Sequence, residues 1–335
     1  MTAKTNVFAS AGSIEKRYFQ MFLLSILMWS TGCVTDMIEP IIEEPVVRPE
    51  VDMHMGFEDP SEPFQVLPDR PIDASDSGNG CLPGVPWNNF YVYNVCISPT
   101  SEISDFAIER NSKYTRVGAY SARFFLRPTS IDQWPLGEAS HRAELRPNSR
   151  APFDRYPQEG QVRWYGMSVF FSEDFVFAPE SLSNELRFMI AQWQHGTTGS
   201  PTVAFEVHGN RLELARSKGV STASEWIQPN FLANISRGQW MDLVVQIKWS
   251  KEVGAIKIWV NDAAVYQREN IQTMYHNLSV GGGLKMGIYH WRWKEKKWVE
   301  ESLRAGITNR EIYIDEVREY LGDAGGYNLV APGAN

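Results

Sequence analysis

From about residue 81 the chain alternates apolar and polar positions over short stretches. YSARFFLRP (120–128), QVRWYGMSVFF (161–171), ELRFMIAQWQH (185–195) and QWMDLVVQIKWS (239–250) are aromatic or β-branched runs that predict strands. TVAFEVHGNRLELARS (202–217) predicts a hairpin turning at Gly209-Asn210, and AIKIWVNDAAVYQ (255–267) one turning at Asn261-Asp262. GGLKMGIYHWRW (282–293) and EIYIDEVREY (311–320) complete the set. No long amphipathic helix interrupts these runs, and no repeat relates them. Many strands punctuated by Gly, Asn and Pro predict an all-β sandwich.

The pattern is different upstream. Residues 34–80 are rich in Pro, Glu and Asp and carry twelve acidic against two basic residues. That composition predicts a disordered or extended tether. At the N-terminus Lys16 and Arg17 precede the apolar run MFLLSILMW (21–29), too short to span a bilayer comfortably. STGC, ending at Cys33, follows and resembles the bacterial lipoprotein signal, in which the cysteine is lipidated. The expected division is therefore a signal peptide over 1–33, a tether over 34–80, a folded domain over 81–325 and a tail over 326–335. The expected location is outside the cytoplasm: a membrane-tethered or cell-surface lipoprotein, or a periplasmic or secreted protein. Cys81 and Cys96 are the remaining cysteines, and in an exported chain they are candidates for a disulfide. No metal-ligating spacing such as C-x-x-C occurs.

The net charge of −8 argues against nucleic acid as a partner. The charge sits in the tether, which leaves the folded part neutral and able to carry basic patches. One is WRWKEKKW (291–298), where Arg292, Lys294, Lys296 and Lys297 lie among tryptophans. It reads as a charged loop, or as the rim of a site for a polyanion.

Three strands carry candidate chemistry. In HRAELRP (141–147) Arg142, Glu144 and Arg146 share one strand face, while Ala143 and Leu145 take the other. In AQWQHG (191–196) Gln192 and Gln194 share a face, and His195 falls on the other unless a bulge re-aims it. In LKMGIYHW (284–291) Lys285, Gly287, Tyr289 and Trp291 share one face, and Met286, Ile288 and His290 take the opposite one. A glycine there would let a ligand approach the backbone. The set offers cations, amides, a phenol, an imidazole and an indole, without a nucleophile or metal cage. It suits elimination from a uronic acid. Cations and amide donors neutralise the carboxylate next to the C5 proton. His or Tyr takes that proton, and Tyr protonates the departing C4 oxygen.

The order R-x-E-L-R, Q-x-(Q)-H, K-x-G-x-Y resembles the concanavalin-like polysaccharide lyases. The texture of RWYGMSVFFSEDF (163–175), AQWQHG, GQWMDLVVQIKWS, GAIKIWVNDAAVY and LKMGIYHWRW is most similar to the heparin-lyase-type and glucuronan-lyase-type families, over residues 85–322. The resemblance implies a β-jelly roll of two antiparallel sheets with a concave cleft for an acidic polysaccharide. It implies Arg142 and Gln192 at the uronate, with Arg146, Lys285, Glu144, Gln194, Trp291 and Arg292 around the substrate. Tyr289 would be the acid and His195 the base, or Tyr289 both. Q-W-Q-H-G has one residue more than the family's Q-W-H-G. Either a bulge restores His195, or Gln194 takes its place and Tyr289 acts alone. No cofactor is required for such chemistry; a structural calcium ion is left open. A monomer is expected, touching a membrane only through a lipid anchor.

Two other readings use the same residues differently. A glycoside hydrolase on this fold would need two carboxylates, in the pattern E-x-D-x-x-E, and EIYIDE (311–316) has the wrong spacing. A non-catalytic glycan-binding lipoprotein would keep Trp291, Trp293 and the basic residues, yet would have no use for Tyr289, Arg142 and His195 together.

Overall fold

The computed structural model describes residues 53–58, 86–87, 90–93, 106–128, 141–147, 156–195 and 199–333. All of these belong to one compact unit, residues 48–335. The expected signal peptide, Cys33, Cys81 and Cys96 lie outside the described residues.

The strands are β1 (Met53–Met55), β2 (Pro86–Trp87), β3 (Phe90–Tyr93), β4 (Phe106–Asn111), β5 (Ser121–Leu126), β6 (His141–Pro147), β7 (Val162–Phe171) and β8 (Phe188–Gln194). They continue with β9 (Val203–His208), β10 (Arg211–Val220), β11 (Ala223–Asn234), β12 (Trp240–Lys248), β13 (Gly254–Val260), β14 (Ala263–Ile271), β15 (Gly283–His290) and β16 (Arg310–Leu321). Two short helices, α1 (Lys296–Arg304) and α2 (Gly326–Val330), flank β16 in sequence. The strands form two antiparallel sheets. One runs β14-β13-β12-β7-β16-β5-β4, with β1 also paired to β16; the other runs β11-β10-β9-β8-β15-β6-β3-β2.

Alternation explains how the sheets stack. Ala143 and Leu145 of β6, Met286 and Ile288 of β15, and Phe205 of β9 face inward against Met167, Val169, Val245 and Ile258 of the other sheet, all buried. Each large apolar side chain buried this way stabilises the fold by about 1.5–3 kcal/mol. Both predicted hairpins form. Asn261 and Asp262 have φ of 48° and 65°, the geometry of a two-residue turn that follows the strand twist.

Both ends of the sandwich depart from the sequence expectation. Met53, Met55 and Phe57, inside the expected tether, are buried, and the Phe57 carbonyl accepts a 2.8 Å hydrogen bond from Arg110 Nε. β1 extends along β16 beyond the stretch paired with β5. The tail from 326 is packed too. α2 buries Val330 against Trp164 and Val244 on the outside of the first sheet. Gly166 makes room for it: a Cβ there would lie 1.7 Å from the Val330 carbonyl oxygen.

WRWKEKKW is not a plain loop. Trp291–Lys294 forms a 3-10 turn that leads into α1. Trp293 is fully buried, stacks on His290 at 4.0 Å, and donates from Nε1 to Ser302 Oγ at 2.8 Å.

Candidate active site

The outer face of the second sheet carries Arg142, Gln192, Gln194, Lys285, Tyr289 and Trp291 of the predicted residues. In β15, Met286, Ile288 and His290 are fully buried on the inner side, while Lys285 and Tyr289, with Trp291 just after the strand, line a cleft of about 570 Å³. Arg142, Gln192 and Gln194 line the same cleft. Tyr289 and Trp291 pack against a small buried cluster of Met189, Ala204 and Ala215, of which Met189 lines the cleft. Small side chains at 204 and 215 keep the sheet surface low beside the phenol.

Ladder register sets the geometry. Arg142 lies opposite Tyr289, and Tyr289 opposite Met189; Lys285 lies opposite Gln192, and Gly283 opposite Gln194. The Arg142 guanidinium carbon sits 4.0 Å from the centroid of the Tyr289 ring, and Trp291 is tilted beside that ring at 5.8 Å. Glu144 is buried at 3 % exposure beneath them. It accepts a 2.5 Å hydrogen bond from Gln192 Nε2, and its other oxygen lies 3.4 Å from Arg142 Nη1. One carboxylate therefore orients a cation from β6 and an amide from β8.

A bulge does exist in β8, but upstream of the place where it would re-aim His195. Ile190 and Ala191 both face the core, and the pairing with β9 shifts between Met189 and Ala191. From Gln192 onward alternation holds, so Gln192 and Gln194 reach the cleft. His195, 5 % exposed, is not among the lining residues and packs edge-on to Tyr275 at 5.0 Å. Burial lowers its pKa, partly offset by a backbone interaction at Ser200; the charge of Lys285 lowers it further. Gln194 thus occupies the cleft position open to either residue.

Other expectations need correction. Arg292 does not line the cleft: its guanidinium lies 4.0 Å from the Glu295 carboxylate and 5.9 Å from the Trp298 ring. Lys294 of the same turn does line it. Gly287 serves the backbone rather than a ligand. Its φ is +128°, and a Cβ would sit 2.2 Å from the Ala143 carbonyl oxygen of the neighbouring strand. Arg146 lies in β6 opposite Tyr91, and its side chain is outside the described residues.

The structure adds residues that the strand motifs did not flag. Ser221–Ser224 and Trp226, from the turn between β10 and β11 and the start of β11, form the far end of the cleft. Near Trp291, the Arg187 guanidinium lies 5.5 Å from its ring and 3.6 Å from buried Glu206, which also meets His208 at 2.9 Å. Alternation in VAFEVH would have placed Ala204, Glu206 and His208 on this face. Among the described residues no group of three or more His, Cys, Asp or Glu side chains is placed to hold a metal ion.

The family model for polysaccharide lyases matches residues 86–318. The chain belongs to the polysaccharide lyase family. This lyase is similar in structure to an endo-β-1,4-glucuronan lyase from the fungus Trichoderma reesei, with 21% identity over 68% of this chain and 90% of that one, and a TM-score of 0.53. It also matches two alginate lyases of polysaccharide lyase family 7. One has 11% identity over 64% of this chain and 82% of that one, with a TM-score of 0.42. The other has 12% identity over 64% and 85%, with a TM-score of 0.43. The glucuronan lyase shares the sandwich fold. No curated protein sequence matches the chain. No helix among the described residues is long and apolar enough to cross a membrane.

Proposed function

We propose that this lyase cleaves a uronate-containing polysaccharide by β-elimination in the cleft at Tyr289. The observation that carries the reading is the convergence of Arg142, Gln192, Lys285 and Tyr289, from three adjacent strands, on one cleft wall. Arg142 and Lys285 supply positive charge and Gln192 an amide where a sugar carboxylate would lie. There they stabilise the negative charge that develops as the C5 proton leaves. Tyr289 takes that proton; the C4–O bond breaks as the C4–C5 double bond forms, and the proton passes to the departing oxygen. No water is consumed. Both proton steps go to Tyr289 because Tyr289 and Gln194 line the cleft and His195, packed on Tyr275, does not.

The structural relative named for glucuronan makes polyglucuronate the first polymer to try, ahead of alginate, ulvan and glycosaminoglycans. Mass spectrometry of the products tests the reaction class. Elimination gives a new non-reducing end lighter by one water than hydrolysis gives; products of hydrolytic mass would refute it.

The proposal extends to export and anchoring at Cys33, supported by the basic-apolar-cysteine pattern at the N-terminus. Palmitate labelling in a bacterial host, lost in Cys33→Ala, tests it; labelling unchanged by that substitution would contradict it.

A further inference from the structure

The cleft runs from Tyr289 across the sheet to Trp226 on β11, the edge strand. Four interstrand steps separate β15 from β11, about 19 Å. That length exceeds what one sugar residue at the reacting bond would fill. Trp226 is 43 % exposed, and its indole packs against no other aromatic ring among the described residues. It also borders a second depression, of about 500 Å³, with Arg216, Lys218, Glu225 and Gln228.

Arg216 is the unusual member. Its Nε and Nη1 are buried without a hydrogen-bond partner, and no carboxylate among the described residues pairs with it. Lys218, by contrast, is paired with Glu225 at 3.2 Å. Desolvated donors left unmatched are costly, and a carboxylate is the group that satisfies a guanidinium best. Trp226 lies opposite Ser217, and Arg216 lies opposite Ile227. The two side chains therefore leave the β10–β11 ribbon from opposite faces, and both border the depression at the free edge of β11. A flat ring on the cleft side of this edge and an unmatched cation round it suit a carboxylate-bearing sugar chain that follows the edge.

We propose that Trp226 and Arg216 form a distal subsite for a uronate residue of a polymer already engaged at Tyr289. The subsite would hold long chains across the sheet and carry them round its edge. It rests on the uronate reading of the active site for its ligand, but it makes no contact with the reacting bond.

The experiment compares the full chain with Trp226→Ala and Arg216→Gln, each first shown to unfold at the wild-type temperature. Turnover is measured on polyglucuronate and on a trisaccharide prepared from it. Retardation is measured in native gels containing polyglucuronate or alginate. Each substitution should raise KM for the polymer about tenfold with kcat unchanged, the signature of lost uniform binding. With Arg216→Gln, which lies outside the lining of the cleft, the trisaccharide should react as with wild type, and in both variants gel retardation should weaken. Polymer KM and retardation unchanged in both variants overturn the subsite, as does a wild-type chain that neither polymer retards. A wild-type chain that is retarded through Trp226 and Arg216 but yields no unsaturated product would overturn the lyase reading and leave the subsite standing.

Discussion

Arg142 and Tyr289 face each other across the β6–β15 ladder, the guanidinium carbon 4.0 Å from the centre of the phenol ring. The pair places a fixed cation beside the group assigned both proton transfers. Arg142→Ala should lower kcat by about a hundred- to a thousandfold, as loss of one preorganised donor does at other enzyme sites. Tyr289→Phe should abolish turnover while leaving polymer binding in place. Steady-state kinetics and affinity gels on the two variants check this, and near-wild-type turnover in either would remove that residue from the mechanism.

In the proposed mechanism Glu144 acts through Arg142 and Gln192, as a positioning residue. Glu144→Ala should lower kcat about a hundredfold, since it frees both groups from their orientation. Glu144→Gln keeps an acceptor for the Gln192 amide and should recover part of that loss. A structural role alone would lower thermal stability without this ordering of the two variants.

Gln194 and His195 can be separated by substitution. The cleft position of Gln194 predicts that Gln194→Ala reduces kcat/KM about tenfold. His195→Asn should leave kcat near wild type and instead lower thermal stability, because the ring packs on Tyr275. Loss of turnover in His195→Asn with the fold intact would return the base role to the imidazole.

Acid should weaken the fold through His141 and His290, which lie opposite each other in β6 and β15. Burial lowers the His141 pKa to about 4. His290 is held well below its ordinary value, by burial first and then by the charges of Arg310 and His141. Groups with depressed imidazole pKa bind protons more readily when unfolded, so stability falls as pH drops from about 6.5 toward 4. For His141 the loss amounts to about 3 kcal/mol. Asp315, raised to about 6 by burial, works in the opposite sense from about pH 6 down to about 4. Denaturant unfolding at several pH values should show a shallower acid loss in His141→Phe than in wild type; equal slopes would contradict the assignment.

The sequence showed the candidate site face more fully than the sheet that carries it. Side chains of β15 alternate in and out even though its pairing with β8 shifts between Met286 and Tyr289, so Lys285 and Tyr289 were separable from Met286 and Ile288 by position alone. The bulge at Ile190–Ala191 was not legible, because two apolar residues in a row read as ordinary strand; alternation after Gln192 nevertheless placed His195 correctly away from Gln194. β11 escaped notice because ASEWIQPNFLAN is exposed along much of its length and contains Pro229, which an edge strand tolerates. With it went Trp226. Met53–Met55 looked like tether because three paired residues carry too little pattern to stand out from acidic surroundings. In WRWKEKKW the charge density masked Trp293, whose burial depends on His290 and Ser302, neighbours supplied by folding.

The most direct test of the central claim is ultraviolet absorbance of the purified protein mixed with polyglucuronate, alginate, ulvan or a glycosaminoglycan. Acid–base elimination leaves a C4–C5 double bond conjugated to the carboxylate, which absorbs near ~230 nm. The account predicts a steady rise on at least one polymer, absent in Tyr289→Phe. New reducing ends without any rise, or a rise that survives Tyr289→Phe, would contradict it.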